Sequence, residues 1–195
     1  MGGMGGMGGA QGGRTRPREK SPSMTHNLMV SLEDLYNGAT KKVRISVNRA
    51  SAGGVVSTEK SIPIKAGFKD GTRITFEREG EEQPGKEPGD VIFVIQAKPH
   101  ESYSRDGDDL IYTCPVTLEQ ALTGVNTQVP TLDGRSLSVC LSNVTPETCH
   151  IVRGKGMLNN KKKTRGDLKV KFLIQFPSVT PSQRERIVKI LREPK

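Results

Sequence analysis

The sequence contains no tryptophan, only three cysteines and few other aromatic residues, and it has no long apolar run. The longest uninterrupted apolar stretch is residues 91–95, far short of the ~20 residues that a membrane-spanning helix needs. Three widely spaced cysteines cannot build a disulfide framework or a four-cysteine metal site, which favours a reducing compartment. No charged-then-apolar signal peptide opens the chain. We therefore expect a cytoplasmic protein, with the nucleus as an alternative location, and no membrane partner.

The familiar catalytic and metal-binding patterns are missing as well. The three histidines form no His-Glu-x-x-His motif, and no Gly-x-Ser-x-Gly elbow occurs. Cys149 and His150 are adjacent, so in a strand they point to opposite faces and make poor joint metal ligands. Residues 106–109 (DGDD) lack the closing glutamate of a calcium loop, and an acidic turn between two domains is the simpler interpretation. We predict a protein that is not an enzyme and needs no metal or cofactor.

What the sequence does contain is an internal repeat. Residues 30–38 (VSLEDLYNG) resemble residues 116–124 (VTLEQALTG), and residues 89–96 resemble the segment that begins at residue 166. In the first pair, Ser31 and Thr117 are candidate N-caps, and the terminal glycines suit helix ends. Gln120 suits the capping-box position better than Asp34 does. Two copies of one fold, each with a short helix between strands, are predicted.

Most of the remaining chain alternates apolar and polar residues, the pattern of half-buried strands. The alternation occurs at residues 42–47, 73–77 and 168–176. In the last of these segments it places Phe176 on the apolar face. Asp70-Gly71 and Asp133-Gly134 are typical hairpin turns, because both residue types tolerate positive φ. The sequence predicts a protein dominated by β-strands.

The last segment changes to a helical period. Thr180 can cap a helix with Pro181 in its first turn, and an apolar stripe follows at Ile187, Val188, Ile190 and Leu191. A helix of about twelve residues is marginal alone in water, so its stripe needs a partner surface. That surface is either the helix's own domain or a second copy of the chain, and the second copy is favoured because the helix follows a complete repeat.

Charge and glycine content distinguish two further segments. The formal net charge is +9, and residues 161–165 (KKKTR) form a basic run that is either a solvated hairpin tip or a contact for nucleic acid or nuclear import. Residues 1–23 combine Met-Gly-Gly repeats with basic residues and are expected to be a flexible linker. We expect this linker to continue a longer protein upstream, the alternative being a cloning remnant or a native tail.

Several of these segments together resemble the C-terminal region of DnaJ-type co-chaperones, specifically the eukaryotic class B, which lacks the zinc-binding insert. They are residues 30–38 (VSLEDLYNG), 64–72 (IKAGFKDGT), 93–96 (FVIQ), 105–110 (RDGDDL) and 132–135 (LDGR). The family's J domain with its His-Pro-Asp motif is absent from the sequence, so this chain alone is not expected to stimulate a partner ATPase. No Cys-x-x-Cys zinc motif is present either.

The resemblance implies a fold and a domain plan. Two tandem β-sandwich or barrel-like domains, each with a short helix, precede a C-terminal dimerisation helix. The corresponding limits are residues 1–23 for the linker, 24–104 for C-terminal domain I, 105–179 for C-terminal domain II and 180–195 for the helix, which implies a homodimer.

The resemblance also implies a function and its residues. Domain I would hold unfolded client polypeptides in a shallow apolar groove lined by Leu28, Val43, Ile45 and Tyr103. Lys41 and Lys60 would bind the acidic C-terminal tail of the cytosolic heat-shock ATPase chaperone.

The residues alone leave two questions open. Periodicity permits Val43 and Ile45 to be ordinary core residues, although a strand with Lys41 on the same face also suits peptide addition at its edge. A basic nucleic-acid- or ribosome-binding module is the alternative function, but few aromatic residues are available for base stacking, so nucleic acid is the less favoured partner.

Overall fold

A computed structural model describes residues 19–193. The first repeat consists of β1 (Met24–Val30), α1 (Leu32–Asn37), β2 (Ala39–Arg49), a 3₁₀ turn (Ala50–Ala52), β3 (Gly54–Ile64), β4 (Arg73–Phe76) and β5 (Val91–Ala97). Next come β6 (Tyr103–Asp106), β7 (Asp109–Thr117), α2 (Leu118–Thr123), β8 (Val125–Pro130), β9 (Ser136–Leu141), β10 (Cys149–Val152), β11 (Leu158–Asn159), β12 (Thr164–Arg165), β13 (Leu168–Gln175) and α3 (Pro181–Arg192). The prediction of a mainly β protein with a terminal helix is confirmed.

The sheet topology reproduces the repeat that the sequence predicts. The first repeat has a sheet of order β1-β5-β4 and a ribbon of β2 and β3; the second has a sheet of order β10-β13-β7-β6 and a ribbon of β8 and β9. In both repeats a strand that follows a Gly-Asp pair, β5 or β13, lies between two equivalent neighbours. One neighbour is the strand before the short helix (β1 or β7), and the other is the strand after the ribbon (β4 or β10). β6 and the β11–β12 hairpin are additions of the second repeat.

The short helices begin where their caps are predicted. The Ser31 hydroxyl accepts a hydrogen bond from the Asp34 backbone N–H, and the Thr117 hydroxyl accepts one from Gln120. Only α2 has the reciprocal bond, in which the Gln120 side chain accepts from the Thr117 N–H. Asp34 cannot complete a capping box because its carboxylate is paired with Lys41 instead.

The two Asp-Gly pairs that were predicted to form hairpins, at residues 70–71 and 133–134, differ in the strands that they connect. Asp133-Gly134 joins the antiparallel pair β8 and β9, with Val129 opposite Leu137, so this hairpin prediction is confirmed. Asp70-Gly71 also forms a turn with Gly71 at φ +77°, but it joins β3 to β4, which lie in different sheets. The hairpin prediction at that position is therefore wrong, because local φ preference sets a turn but not the strand with which the chain pairs afterwards.

The acidic segment at residues 106–109 is the hairpin turn between β6 and β7, with Asp106 opposite Asp109. The predicted turn is present, but it lies inside the four-stranded sheet, and the predicted domain boundary after residue 104 falls within β6. The domain limits themselves stay a prediction.

The described residues divide into two compact units. One unit contains residues 19–26, 44–59 and 73–93, and its core includes Ile45, Val47, Val91 and Phe93. The other contains residues 27–43, 60–72 and 94–193, and its most buried side chains include Leu35, Ile62, Ile95, Leu110, Val129, Met157, Leu168 and Val170. These side chains come mainly from alternate strand positions, as period-two patterning requires.

Most of the predicted linker, residues 1–18, lies outside the described residues. The described end of that linker belongs to the first unit. The Ser21 N–H donates to the Glu87 carbonyl, and the buried Ser21 hydroxyl accepts from the Gln83 N–H. Lys20 pairs with Asp90 at 3.3 Å. The ordered chain therefore begins before Met24.

Candidate functional site

The predicted site centres on β2, whose alternation places Lys41, Val43 and Ile45 on one strand face. Ile45 is 6% exposed and belongs to the core, whereas Val43 and Lys41 are half-buried. Periodicity left open whether Val43 and Ile45 are core residues or residues of a binding surface. Ile45 is a core residue, whereas the side chain of Val43 remains partly exposed.

The other two predicted groove residues also differ in accessibility. Leu28 lies half-buried on β1, next to the exposed Met29. Tyr103 on β6 is buried, its ring centroid is 4.9 Å from that of Tyr112, and its hydroxyl donates to the Pro130 carbonyl. Burial raises the pKa of the Tyr103 phenol, so it stays a neutral hydrogen-bond donor. Leu28 and Val43 are thus the accessible part of the predicted set.

The second repeat provides an internal reference for these two positions. The repeat aligns Leu28 with Cys114 and Val43 with Val129. Cys114 is 4% exposed and Val129 is fully buried. The same two strand positions are therefore closed in the second repeat and partly open in the first.

Lys41 already has a carboxylate partner. Its Nζ lies 2.5 Å from Asp34 Oδ2, and this hydrogen bond is the main reason that the pKa of Asp34 falls below its usual value. Asp34 also lies in the first turn of α1, where a negative charge is favourable. Lys60 lies half-buried on β3, on the strand face of Ile62 and Ile64. Any external carboxylate that binds Lys41 must therefore share its ammonium group with Asp34 or displace Asp34 from it.

The terminal helix begins as predicted and leaves its apolar stripe accessible. Thr180 and Gln183 form a capping box with Pro181 in the first turn. Ile187 and Val188 are partly exposed, while Ile190 and Leu191 are 66% and 78% exposed. No residue of α3 is buried.

A cavity of about 330 Å³ lies beside this stripe. The side chains that line it are Leu118, Leu122, Phe176, Pro177, Val179, Arg184, Ile187, Val188 and Leu191. Phe176 was expected on the inward face of β13, but the strand ends at Gln175 and Phe176 is 79% exposed. Leu122 follows the buried Ala121 in α2 and is exposed too. Leu122, an apolar side chain on the polar side of a short helix, is the one sequence signal that could have pointed to this surface.

Within residues 19–193, no group of three or more His, Cys, Asp or Glu side chains could hold a metal ion. In that range, no helix is long and apolar enough to cross a bilayer.

Comparison with known proteins identifies the family. The profile of the DnaJ C terminal domain matches residues 24–177. DnaJ homolog subfamily B member 5 of Homo sapiens is 40% identical over 181 residues, which cover 89% of this chain and 52% of that protein. DnaJ protein homolog 1 of Drosophila melanogaster is 39% identical over 183 residues, or 91% and 55% of the two chains. Protein SIS1 of Saccharomyces cerevisiae is 38% identical over 182 residues, or 91% and 51%.

The chain spans about half the length of these curated relatives. The similarity to subfamily B members agrees with the zinc-free class that the sequence suggested. The repeated β topology, the terminal helix and these matches lead to one conclusion: the chain belongs to the DnaJ C-terminal domain family.

Proposed function

We propose that this chain is the client-binding and dimerising part of a cytoplasmic co-chaperone. It binds non-native polypeptides through apolar side chains of the first repeat and presents them to the heat-shock ATPase chaperone. Lys41 and Lys60 dock the acidic C-terminal tail of that chaperone, and α3 joins two copies of the chain.

The observation that supports client binding is the difference between the two repeats. Leu28 and Val43 remain half-buried, while their counterparts Cys114 and Val129 are buried. An apolar side chain that stays partly exposed at a position normally closed is free to bury area against a ligand, at about 25 cal/mol for each Å² removed from water. The set is small, so one chain holds a client weakly and two linked chains hold it more strongly.

Aggregation of a chemically unfolded model protein, followed by light scattering without ATP, tests client binding. Leu28→Asp combined with Val43→Asp is expected to reduce suppression of aggregation by at least about tenfold in effective concentration, through lost apolar contact. Ile45 is left unchanged because a charge at that buried position would unfold the chain.

The matched control is Val55→Asp, which removes a valine that is 71% exposed on β3. It should suppress aggregation as the unmodified chain does, and circular dichroism should confirm that all variants are folded. Equal activity of the double variant and the control would contradict the proposal. Tight binding of a labelled oligonucleotide that weakens steeply with rising salt would instead favour the nucleic-acid-binding alternative, whose contacts are to phosphates.

Tail docking is supported by the position of Lys41, whose ammonium group is held beside the Asp34 carboxylate. A tail carboxylate can substitute for Asp34 on Lys41 through the same charge-assisted hydrogen bond. Asp34→Asn removes the competitor and should therefore strengthen binding of a Glu-Glu-Val-Asp peptide several-fold, whereas Lys41→Glu with Lys60→Glu should abolish it. Unchanged peptide affinity in both variants, measured by fluorescence anisotropy, would place the site elsewhere.

Dimerisation is supported by the exposed stripe of α3 and the apolar cavity beside it. Burying a side chain of this size contributes ~1.5–3 kcal/mol, so Leu191→Asp or Ile187→Asp should yield monomers in sedimentation velocity experiments. Lys189→Asp, on the opposite side of the same helix from the stripe, is the control for charge reversal. A monomeric unmodified chain, or dimers in both stripe variants, would contradict this part of the proposal.

A further inference from the structure

The β11–β12 hairpin, an addition of the second repeat, carries the three consecutive lysines 161–163 at its tip. The tip is held by its own asparagine: Asn159 Oδ1 accepts the Lys161 and Lys162 N–H groups, each at 3.0 Å. The Lys163 N–H donates to the Asn159 carbonyl, and Lys163 has a left-handed φ of +58°. The lysines therefore project from an ordered turn, and their backbone loses little further freedom when they bind a ligand.

The hairpin is also fastened to the loop between β3 and β4. The Asn160 side-chain N–H donates to the Ala66 carbonyl at 2.9 Å. Gly67 approaches the hairpin so closely that a Cβ there would lie 2.0 Å from the Leu158 carbonyl oxygen. Because only glycine fits at this contact, the two segments form fixed walls.

A cleft of about 400 Å³ lies between these walls. Its lining consists of Gly67, Phe68, Lys69, Thr72, Asn159, Asn160 and Lys161. Phe68 is half-buried and offers part of its ring to the cleft. Lys69 is held 3.0 Å from Asp108, and Asn159 donates to the same carboxylate. The cleft therefore combines one aromatic surface with a rim of amines and amides.

The charges of the tip are not compensated within the protein. Lys161, Lys162 and Lys163 are exposed, and none has an ion pair with a carboxylate of the residues that the structure describes. Lys69, by contrast, is neutralised by Asp108. The hairpin tip therefore carries three uncompensated positive charges, and the first of its lysines, Lys161, lines the cleft together with Phe68.

We propose that this cleft binds an acidic segment of a partner protein, at a site separate from Lys41 and Lys60. Carboxylates in an extended peptide recur on one face every second residue, so more than one of them can reach the exposed amines of the hairpin tip. An apolar side chain beside the carboxylates would pack on Phe68. Charge-assisted bonds from the lysines to the carboxylates provide the specificity for acidic sequence.

Nucleic acid fits the same surface less well. Base stacking requires several aromatic faces, and Phe68 is the one aromatic residue that lines the cleft. Asp70 follows Lys69 in the β3–β4 loop, and Asp108 in the β6–β7 turn pairs with Lys69, so both carboxylates would repel a continuous phosphate backbone. A short acidic peptide avoids this repulsion because its charges can be confined to the lysine tip.

The test uses a fluorescein-labelled octapeptide that contains four glutamates and one leucine, with a glutamine-substituted version as the reference. Anisotropy in low salt should show binding of the acidic peptide alone. Replacing lysines 161–163 by glutamine should weaken it by about tenfold, the effect expected when three exposed ion pairs are lost together. The control, Arg44→Gln with Lys98→Gln and Lys171→Gln, removes the same charge from exposed positions that do not line the cleft and should lose less than about threefold.

Comparison with Lys41→Glu/Lys60→Glu separates this inference from tail docking. Weaker binding of the acidic peptide to the variant of lysines 161–163 supports binding in the cleft, whatever the affinity of the Lys41→Glu/Lys60→Glu variant. Loss in the double variant alone overturns the cleft and leaves the proposed function standing. Three further results also overturn it: equal losses in the hairpin variant and its control, tighter hairpin-dependent binding of a twelve-nucleotide single strand, or a hairpin variant that changes only self-association in sedimentation.

Discussion

The two repeats share a junction in front of their central strands, although they differ in size around it. In the first repeat the Asp90 carboxylate accepts the Arg78 N–H, and the Gly80 N–H donates to the Gly89 carbonyl. In the second, Asp167 accepts the Gly154 N–H, and Gly156 donates to Gly166. Arg78 and Gly154 both have left-handed φ, +59° and +69°. The duplicated part is therefore a defined set of backbone contacts and not only a strand order.

The repeats differ in what surrounds that junction. The ribbon strands β2 and β3 have 11 residues each, whereas β8 and β9 have 6 each. The second repeat instead inserts the basic β11–β12 hairpin between β10 and β13. The proposed acidic-peptide cleft uses such an added part, whereas the client-binding side chains Leu28 and Val43 lie at strand positions that the two repeats share.

The largest expected contrast concerns the aligned valines. Val129→Asp would bury an unpaired carboxylate at a site with no exposure, and a loss of about 4 kcal/mol or more in the free energy of unfolding is expected. Val43→Asp keeps its charge near water and should cost about 1 kcal/mol. Urea denaturation of both variants measures this contrast, and equal losses would show that Val43 is as enclosed as its counterpart.

The next contrast concerns the junction glycines. A Cβ on Gly166 would lie 2.1 Å from the Asp108 carbonyl oxygen, and one on Gly89 would lie 2.2 Å from that of Pro22. Asp108 lies in a hairpin turn of the four-stranded sheet, whereas Pro22 precedes the first strand and can shift more easily. Gly166→Ala should therefore cost roughly 3 kcal/mol and Gly89→Ala clearly less.

Gly54→Ala is the control for this pair, because no atom lies within 4 Å of a Cβ at that position. Its unfolding midpoint in urea should stay close to that of the unmodified chain. If Gly89→Ala were the more damaging substitution, the segment at residues 19–22 would have to be the more rigid neighbour.

A smaller effect distinguishes the two helix caps through pH. Asp34 has a lowered folded-state pKa, so its pairing with Lys41 contributes stability above the ordinary pKa of 3.8, and that contribution is lost as pH falls through the folded value. Asp34→Asn should therefore reduce stability by roughly 1 kcal/mol or less at pH 6, and the difference should shrink as the pH falls below 3.8. Gln120 cannot titrate, so Gln120→Ala should give the same loss across this pH range in thermal denaturation.

The smallest expected contrast is at the left-handed position. Arg78→Gly relieves a left-handed side chain and should stabilise by up to ~1 kcal/mol, whereas Gly154→Ala introduces the same strain at a comparable cost. The Arg78–Glu87 pair lost in the first variant is exposed and contributes little. Opposite shifts of the urea midpoint are expected, and shifts of the same sign would show that the two positions are not equivalent.

Local chemistry made much of this fold predictable from the amino-acid sequence. Ser31, Thr117 and Thr180 begin helices because their hydroxyls satisfy N–H groups a few residues away, an interaction that needs no distant partner. The repeat and the strand-rich class follow from spacing and period in the same way. The resemblance to DnaJ proteins was likewise recognisable, because its motifs are contiguous in the chain.

Tertiary structure decided the features that depend on which distant segments meet. Periodicity treats Val43 and Ile45 alike, yet packing buries Ile45 and leaves Val43 half open. Asp70-Gly71 and Asp133-Gly134 have the same turn preference, but of these two only Asp133-Gly134 is followed by a strand that pairs with the strand before it. The cleft beside Lys161 exists because Asn160 reaches Ala66, 94 residues earlier in the chain. Contacts of that range depend on the packing of whole sheets, and no local pattern of residues encodes them.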